Sequence, residues 1–206
     1  MPGISIESQC CALNMFFTTA PIVALRAGKG RGTEQIQLYL ADGLSLTLLP
    51  DRCLDVADAS FRGVPLASLT PPRVVGPAFA DEASPTGFAR NFQAGLVYTC
   101  GLTAIGKPVP GPDDPEGEPD GPVPTHGRVS TIPAEQLSAS AGWENGKYVL
   151  RASGVVREVS AFGTNLQLTR HITAELGSAS FRIDDEIENL SISRASPLVF
   201  CYHCNP

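Results

Sequence analysis

Hydrophobic and polar residues alternate along much of the chain, with the period of two that is typical of a half-buried β-strand. In residues 35–50, QIQLYLADGLSLTLLP, the apolar positions recur at every second residue on both sides of an Asp-Gly pair. A three-residue loop, 41–43, pairs Leu40 with Leu44 and keeps one face of the hairpin apolar. A two-residue Asp-Gly turn would instead set leucines opposite serine and threonine. The pattern therefore predicts a β-hairpin closed by the longer loop.

A second hairpin is predicted within residues 165–190, NLQLTRHITAELGSASFRIDDEIENL. A two-residue turn at 177–178 places Arg170 opposite Asp185 on a face that is otherwise apolar. A charge on a buried face needs a partner of opposite sign, because desolvating an unpaired ion is costly. We therefore expect a salt bridge directly across this hairpin.

The remaining pattern favours an all-β fold. Residues 147–159 and 196–204 alternate in the same way, and no stretch longer than a turn or two has helical periodicity. With 20 glycines and 18 prolines to supply turns, the chain is typical of an antiparallel sandwich or barrel. We find no internal repeat and no linker, so residues 1–206 are interpreted as one domain. Residues 107–124, almost wholly proline, glycine and acid, are interpreted as a long mobile surface loop and a candidate lid.

Composition and charge narrow the classes of partner. The net charge is −6, and residues 107–124 hold five acids against one lysine, so the rest of the chain is nearly neutral. Without a basic cluster, nucleic acid and membrane surfaces are disfavoured as partners. The six cysteines are an adjacent pair and scattered singles, which is not a disulfide framework. The apolar segment 10–25 lacks a basic flank and contains Asn14, so we predict a cytoplasmic protein without a signal peptide.

A metal site is the first chemistry to consider. Residues 201–204, CYHC, offer two thiols and an imidazole. On a strand the two thiols would point to opposite faces, and Cys53 or Cys100 would have to converge on them. We therefore predict no metal.

Two groups of polar residues remain open to two interpretations. Asp51, Arg52 and Asp55, in LPDRCLDV, either bind a polyol or pin a turn through an internal salt bridge. Arg90, in GFARNFQAGLVYTCGL, is either a site residue or a polar strand end.

The histidines are the best candidates for proton transfer. The chain has three, and His126 follows the acidic loop directly, with Gly127 and Arg128 beside it. His203 lies in an otherwise apolar strand, where we expect its ring to be screened from bulk water. Two imidazoles at one pocket would suit proton transfer near neutral pH.

Six motifs in a fixed order carry a family resemblance. They are LPDR-x-LD, DASFRGVPLA at 58–67, RNFQAGLVYTCGL, THGR-x-S, LTR-x-I and YH-x-N, and they run from about residue 35 to the end. The combination resembles the galactose-mutarotase-like superfamily, in particular its uncharacterised bacterial branch related to aldose 1-epimerases. The resemblance implies an antiparallel β-supersandwich, incomplete at its C-terminal end, that binds a sugar on a concave sheet.

The resemblance also implies roles for single residues. His126 and His203 match the two histidines that transfer protons and bind hydroxyls at the anomeric centre, and no cofactor is needed for this chemistry. The implied substrate-binding residues are Arg52, Arg90, Asn205, Asp51 and Arg128. Cys53 departs from the branch, which usually has glycine at that position.

A further departure concerns the base. In the family the catalytic glutamate follows the YH-x-N motif by many residues, and no glutamate in this chain matches it. We therefore expect weak or no turnover, and a second copy or a partner segment that covers an open sheet edge. The alternatives to an aldose 1-epimerase-like isomerase are a non-catalytic sugar-binding protein on the same fold, or an inactive fragment that requires a partner segment.

Overall fold

The part of the protein that the structure describes consists of antiparallel β-strands, one short α-helix and three short 3₁₀ helices. The computed structural model describes residues 18–81, 84, 86–111, 121–161, 163–192, 195–196 and 198–206. The strands, in chain order, are β1 (Ile22–Ala24), β2 (Glu34–Tyr39), β3 (Leu44–Leu49), β4 (Asp55–Phe61), β5 (Val64–Pro65), β6 (Val97–Leu102), β7 (Glu135–Glu144), β8 (Lys147–Val159), β9 (Asn165–Glu175), β10 (Phe181–Asn189) and β11 (Val199–Cys204). The helix α1 spans Phe88–Asn91. No helix within these ranges has the length and apolar character needed to cross a membrane.

The strands form three sheets. A five-stranded sheet has the order β1-β2-β3-β4-β5, a four-stranded sheet has the order β10-β9-β8-β7, and β11 pairs with β6 in a two-stranded sheet. All the pairings between these strands are antiparallel. The all-β prediction is confirmed.

The core lies between the five-stranded and four-stranded sheets. Leu38 and Leu46 from β2 and β3 pack in one cluster with Leu150 and Ile172 from β8 and β9, and all four are at most 1% exposed. Burying one such side chain stabilises the fold by about 1.5–3 kcal/mol. The apolar positions of the alternating pattern are therefore those that face the opposite sheet.

The first predicted hairpin is confirmed in detail. Leu38 pairs with Leu46 and Ile36 with Leu48. The amide of Leu40 donates to the carbonyl of Leu44 at 2.9 Å, so the loop is the three residues 41–43. Gly43 adopts φ +112°, a region that residues with a Cβ rarely enter.

The second hairpin has the predicted register but a different turn. Arg170 pairs with Asp185 as expected, and Ile172 pairs with Ile183. The predicted two-residue turn at 177–178 is wrong, because the β9–β10 ladder ends at the pair Ala174 and Phe181. The tight turn is closed one residue earlier, by the amide of Ser178 donating to the carbonyl of Glu175 at 3.0 Å. The amide of Leu176 donates to the carbonyl of Tyr148 in β8, at 2.9 Å. It therefore cannot form the hydrogen bond to the β10 side that a two-residue turn at 177–178 requires.

The base of the acidic loop is described, but its middle is not. Val109 and Val123 form an antiparallel bridge that closes the loop. Residues 112–120 lie outside the described residues, so the mobility and the lid role of 107–124 stay predictions.

Cys53 occupies a turn position that suits glycine. Its φ is +58°, and that of Leu54 is +52°, both in the left-handed region. The Cys53 side chain is fully buried, in a second core cluster with Leu102 and Val156. The departure from glycine therefore leaves the turn intact, and the thiol contributes to the core.

Candidate functional site

The two-stranded sheet separates two groups of polar side chains. Tyr98 of β6 faces His203 of β11 in the register, and the next pair is Thr99 with Tyr202. Successive side chains on a strand point to opposite faces. Tyr98 and His203 therefore share one face, and Thr99 and Tyr202 share the other.

The structure brings His126 and His203 together on the first face. Their ring centroids are 6.1 Å apart, with the ring planes nearly perpendicular at 88°. The ring of Phe88 lies 5.0 Å from His126, and the ring of Phe92 lies 5.1 Å from His203. We call the cluster of four neighbouring rings, from His126, His203, Phe88 and Phe92, the histidine cleft; two of the rings are apolar and two are imidazoles.

Two glycines let the His126 segment approach β6 closely. The amide of Gly101 donates to the carbonyl of His126 at 2.9 Å. A Cβ on Gly127 would lie only 2.4 Å from the carbonyl oxygen of Gly101. His126 and Gly127 both have positive φ, +66° and +84°. The THGR motif therefore places the imidazole by packing backbone against backbone, which explains the glycine that follows the histidine.

The hydrogen bonding of His126 determines its tautomer. The amide of Gly106 donates to Nδ1 of His126 at 3.3 Å. With Nδ1 accepting, the proton of the neutral ring resides on Nε2. Burial, with a smaller effect from the charge of His203, lowers the pKa of His126 below its ordinary value. The neutral ring is thus a donor through Nε2, and its protonated form is a stronger acid than an ordinary imidazolium.

The surroundings of His203 differ from the sequence prediction. His203 is exposed, so the expectation that its ring is screened from water is wrong. The reason is that β11 is the outer strand of a two-stranded sheet, where only one edge is covered. Asn205 follows it and donates from its side-chain amide to the carbonyls of Gly95 and His203, both at 2.9 Å. Asn205 therefore positions the end of β11 beside the cleft.

Arg52 lies beneath the histidine cleft rather than in it. Its side chain is fully buried and donates to the carbonyls of Ser130 and Val75, at 2.6 and 2.5 Å. It also donates to the hydroxyl of Tyr98, at 3.2 Å. The ring of Tyr98 contacts the rings of both Phe88 and Phe92. Arg52 therefore ties its own turn to the segments of Val75 and Ser130 and lies against Tyr98.

Arg90 lies at the rim. It sits on α1 and forms a two-pronged hydrogen bond to Asp81, at 2.9 and 2.5 Å. Arg90 holds the pKa of this carboxyl below its usual value. Asp81 in turn lines a small cavity of about 10 Å³, room for about one water molecule, together with Phe88, Tyr98, Thr125 and Ser130.

Asp51 and Arg128 do not join the histidines. Asp51 accepts a hydrogen bond from the amide of Glu34, at 2.7 Å, and so anchors the start of β2. Arg128 donates to the carbonyls of Gly121 and Pro122, which ties down the end of the acidic loop, and lies 3.7 Å from Glu158. It lines a separate cavity beside β8.

Neither imidazole has an acidic partner among the described residues. No carboxylate oxygen of these residues lies within 4.0 Å of a ring nitrogen of His126 or His203. Within the same ranges, no three side chains of the metal-binding types come together. Cys201 lies opposite Cys100 and Cys204 opposite Val97, so the two thiols of the CYHC motif do diverge.

The second face of the two-stranded sheet carries a buried ionic network. Arg170 binds Asp185 at 2.9 and 2.7 Å and Asp55 at 2.8 Å. Thr99 donates to Asp55, and Tyr202 donates to Asp185 at 2.6 Å. The network joins strands from all three sheets, and therefore fixes the two-stranded sheet, with His203 on it, relative to the core.

Sequence reasoning missed the aromatic walls and the second partner of Arg170. Phe88 and Phe92 are four residues apart and stack at 4.8 Å across the short helix. That spacing is a helical signal that was available but is too short to stand alone. The bond between Arg170 and Asp55 joins residues 115 apart, for which strand alternation gives no indication.

Comparison with known proteins agrees with this architecture. A crystal structure from Klebsiella pneumoniae subsp. pneumoniae MGH 78578, provisionally described as an aldose 1-epimerase, superposes with a TM-score of 0.71 at 24% identity. The match covers 82% of this chain and 43% of that chain. The galactose 1-epimerase of Lactobacillus acidophilus NCFM matches with a TM-score of 0.42 at 12% identity, over 77% of this chain and 45% of its own. The search of curated proteins returned no match.

The fold is therefore the antiparallel sandwich of the aldose epimerases, as the resemblance implied. The chain spans less than half the length of both of these structures. A family model described as a domain of unknown function, DUF4432, matches residues 30–206. The chain belongs to this DUF4432 family.

Proposed function

We propose that the histidine cleft binds a sugar and that the protein acts at the anomeric centre by acid–base chemistry, as an aldose 1-epimerase-like isomerase. The observation that carries the proposal is the approach of His126 and His203 to 6.1 Å between two aromatic rings. Aromatic rings offer apolar surface to the C–H face of a sugar, and imidazoles bind its hydroxyls.

His126 suits the acid in this chemistry. Ring opening requires a proton on the ring oxygen while the anomeric hydroxyl loses one. In the neutral ring the bond from Gly106 occupies Nδ1, so Nε2–H donates a hydrogen bond to the ring oxygen. A second proton on Nδ1 displaces the bond from Gly106, and the lowered pKa makes that imidazolium a stronger acid than usual. His203 binds a hydroxyl or exchanges its proton, Arg90 and Asn205 orient the site from its rim, and Arg52 acts from below. We propose no contact with substrate for Asp51 and Arg128, because their side chains are engaged elsewhere.

A second candidate is sugar binding without turnover on the same scaffold. It is favoured by the lack of a carboxylate within 4.0 Å of either imidazole in the described part of the chain. Without a base, deprotonation of the anomeric hydroxyl falls to His203 or to water. A second copy of the chain, or a partner segment, would then complete the site.

Exchange spectroscopy by NMR distinguishes the two candidates. Aldoses are first screened by thermal shift, and anomer exchange of each hit is then measured with wild type, His126→Ala, His203→Ala and, as the control, His171→Ala on the outer face of β9. Catalysis predicts exchange above the buffer rate that falls about 10²–10⁴-fold in the first two variants only. Binding without exchange supports the second candidate, and exchange that survives both substitutions contradicts the catalytic role.

The outer edge of β11 is the surface that a partner would cover. Among the described strands β11 pairs with β6 alone, and Leu198 and Val199 beside it are 50% and 37% exposed. Exposed strand edges with apolar flanks invite pairing with another chain. We propose a second copy as the occupant; light scattering that gives the mass of a monomer over the micromolar range would contradict this.

A further inference from the structure

Arg52 is a buried cation whose hydrogen-bond partners are all uncharged. Besides Ser130, Val75 and Tyr98, its guanidinium donates to the carbonyl of Asn91, at 3.4 Å. No carboxylate of the described residues lies within 4.0 Å of it. Carbonyl and hydroxyl dipoles satisfy its N–H groups, but they carry no net charge, so the full positive charge remains.

The balancing negative charge lies on the other face of the two-stranded sheet. Arg170 there meets two carboxylates, Asp55 and Asp185. Burial raises the pKa of Asp55, so the cluster carries at most one net negative charge. This cluster contacts Thr99 and Tyr202, whereas Arg52 contacts Tyr98 on the histidine face. The two buried clusters therefore form a dipole across the sheet, with its positive end beneath the histidine cleft.

The groups around the cleft do not cancel this field. Asp81 is the one carboxylate that lines the adjoining cavity in the described residues, and Arg90 binds it with two hydrogen bonds. The other polar side chains there are hydroxyls and an amide, from Thr125, Ser130, Thr131, Tyr98 and Asn91. These groups carry no net charge, so they do not cancel the field of Arg52.

We infer that the histidine cleft takes a sugar that carries an acidic group, a carboxylate, a phosphate or a sulfonate, on the side of Arg52. The inference rests on the proposed function and narrows its substrate class. A cleft of one sign with low-dielectric walls concentrates ligands of the opposite charge. The acidic group lies in the positive potential of Arg52, and the sugar ring reaches the two imidazoles.

The test compares neutral sugars with their acidic counterparts on the wild-type protein. Glucose and galactose are each paired with the 6-phosphate and with the uronic acid, and the dissociation constants are measured by calorimetry. We expect at least one acidic sugar to bind about 10-fold or more tightly than its neutral parent at about 10 mM salt, where the Debye length is near 30 Å. The ratio of the neutral to the acidic dissociation constant should shrink at about 150 mM salt, because the Debye length there is only about 8 Å and the attraction to Arg52 is screened. The two acidic arms separate phosphate from carboxylate as the preferred group.

Variants of Arg52 test whether its positive charge causes the preference for acidic over neutral sugars. Arg52→Lys keeps the charge and should retain a preference for the acidic sugar, whereas Arg52→Gln should reduce it at least about 5-fold. The control is Arg182→Gln, which removes an exposed positive charge on β10 that pairs with Asp184 and should retain the preference. Circular dichroism establishes that each variant is folded; if Arg52→Gln does not fold, the salt dependence of the wild type decides.

The outcomes separate this inference from the proposed function. Equal affinity for neutral and acidic sugars, or a preference that salt does not change, overturns the anionic preference and leaves sugar binding intact. Failure of all these sugars, and of a wider panel of aldoses, to bind overturns both. Binding of inorganic phosphate as tight as that of the sugar phosphate also overturns the inference, since the sugar ring would then contribute nothing.

Discussion

Arg170 and Asp185 face each other across β9 and β10 and are joined by two hydrogen bonds, of 2.9 and 2.7 Å. Both side chains are almost completely buried, at 0% and 7% exposed. Asp55 binds the same guanidinium from β4, and Tyr202 binds Asp185 from β11. A single cross-strand pair therefore connects the core sheets to the strand that carries His203.

Asp185→Ala should destabilise the protein by about 3 kcal/mol, at the lower end of the range for a broken buried ion pair, because Asp55 remains bound to Arg170. Urea unfolding measures this loss. The control is Asp184→Ala, the exposed neighbour that pairs with Arg182, which should cost less than about 1 kcal/mol. Equal losses in the two variants would contradict the role of the buried pair.

The two hairpins were predictable because the information is local. In both, strand alternation and the requirement for one apolar face fix the register. The pairing of Leu38 with Leu46 in the first hairpin, and of Arg170 with Asp185 in the second, follows directly. The turn of the second hairpin was not predictable in this way, since Leu176 bonds to Tyr148 in the neighbouring strand.

The histidine cleft was predictable only in part. The motifs named His126 and His203, and the structure brings them together. The position of Arg52 depends on hydrogen bonds to backbone carbonyls 23, 39 and 78 residues away along the chain. No periodicity in the sequence predicts contacts between residues so far apart. Long-range backbone contacts of this kind decide whether a polar residue enters a cleft or lies beneath it.

Gly127→Ala should destabilise the protein by more than about 2 kcal/mol and displace His126, because the new Cβ would combine the cost of a positive φ with a backbone clash. The clash is with the carbonyl of Gly101, at 2.4 Å. Gly146→Ala is the matched control: its φ is +81° against +84°, but no atom lies within 4 Å of the new Cβ. It should cost only about 1 kcal/mol. If thermal or urea unfolding gives similar losses for both, close backbone approach does not shape the site.

Stability should fall as the pH is lowered below the ordinary histidine pKa. The folded state holds the pKa of His126 below its ordinary value, so the folded protein binds this proton less tightly than the unfolded chain. The contribution of His126 is therefore complete above about pH 6.5 and is lost as the pH falls through the folded pKa. The measurement is the difference in unfolding free energy between wild type and His126→Gln from pH 8 to pH 5, with His171→Gln as the control.

The difference for His126 should decrease steadily as the solution becomes more acidic. A difference that stays constant would mean that folding leaves the pKa of His126 unchanged, and one that grows toward low pH would mean that the folded protein stabilises the charged ring. The burial of His126 against Phe88 would then not determine its protonation.

The most direct test of the account follows the Hε1 resonances of the three histidines by NMR while a sugar that binds is added. His126 and His203 lie in the cleft, whereas His171 is exposed on the outer face of β9 and serves as an internal control. The account predicts that the signals of His126 and His203 shift together with one dissociation constant and that the signal of His171 does not move. A shift of His171 alone, or saturable binding that leaves both cleft histidines unchanged, would place the sugar elsewhere and contradict the assignment of the site.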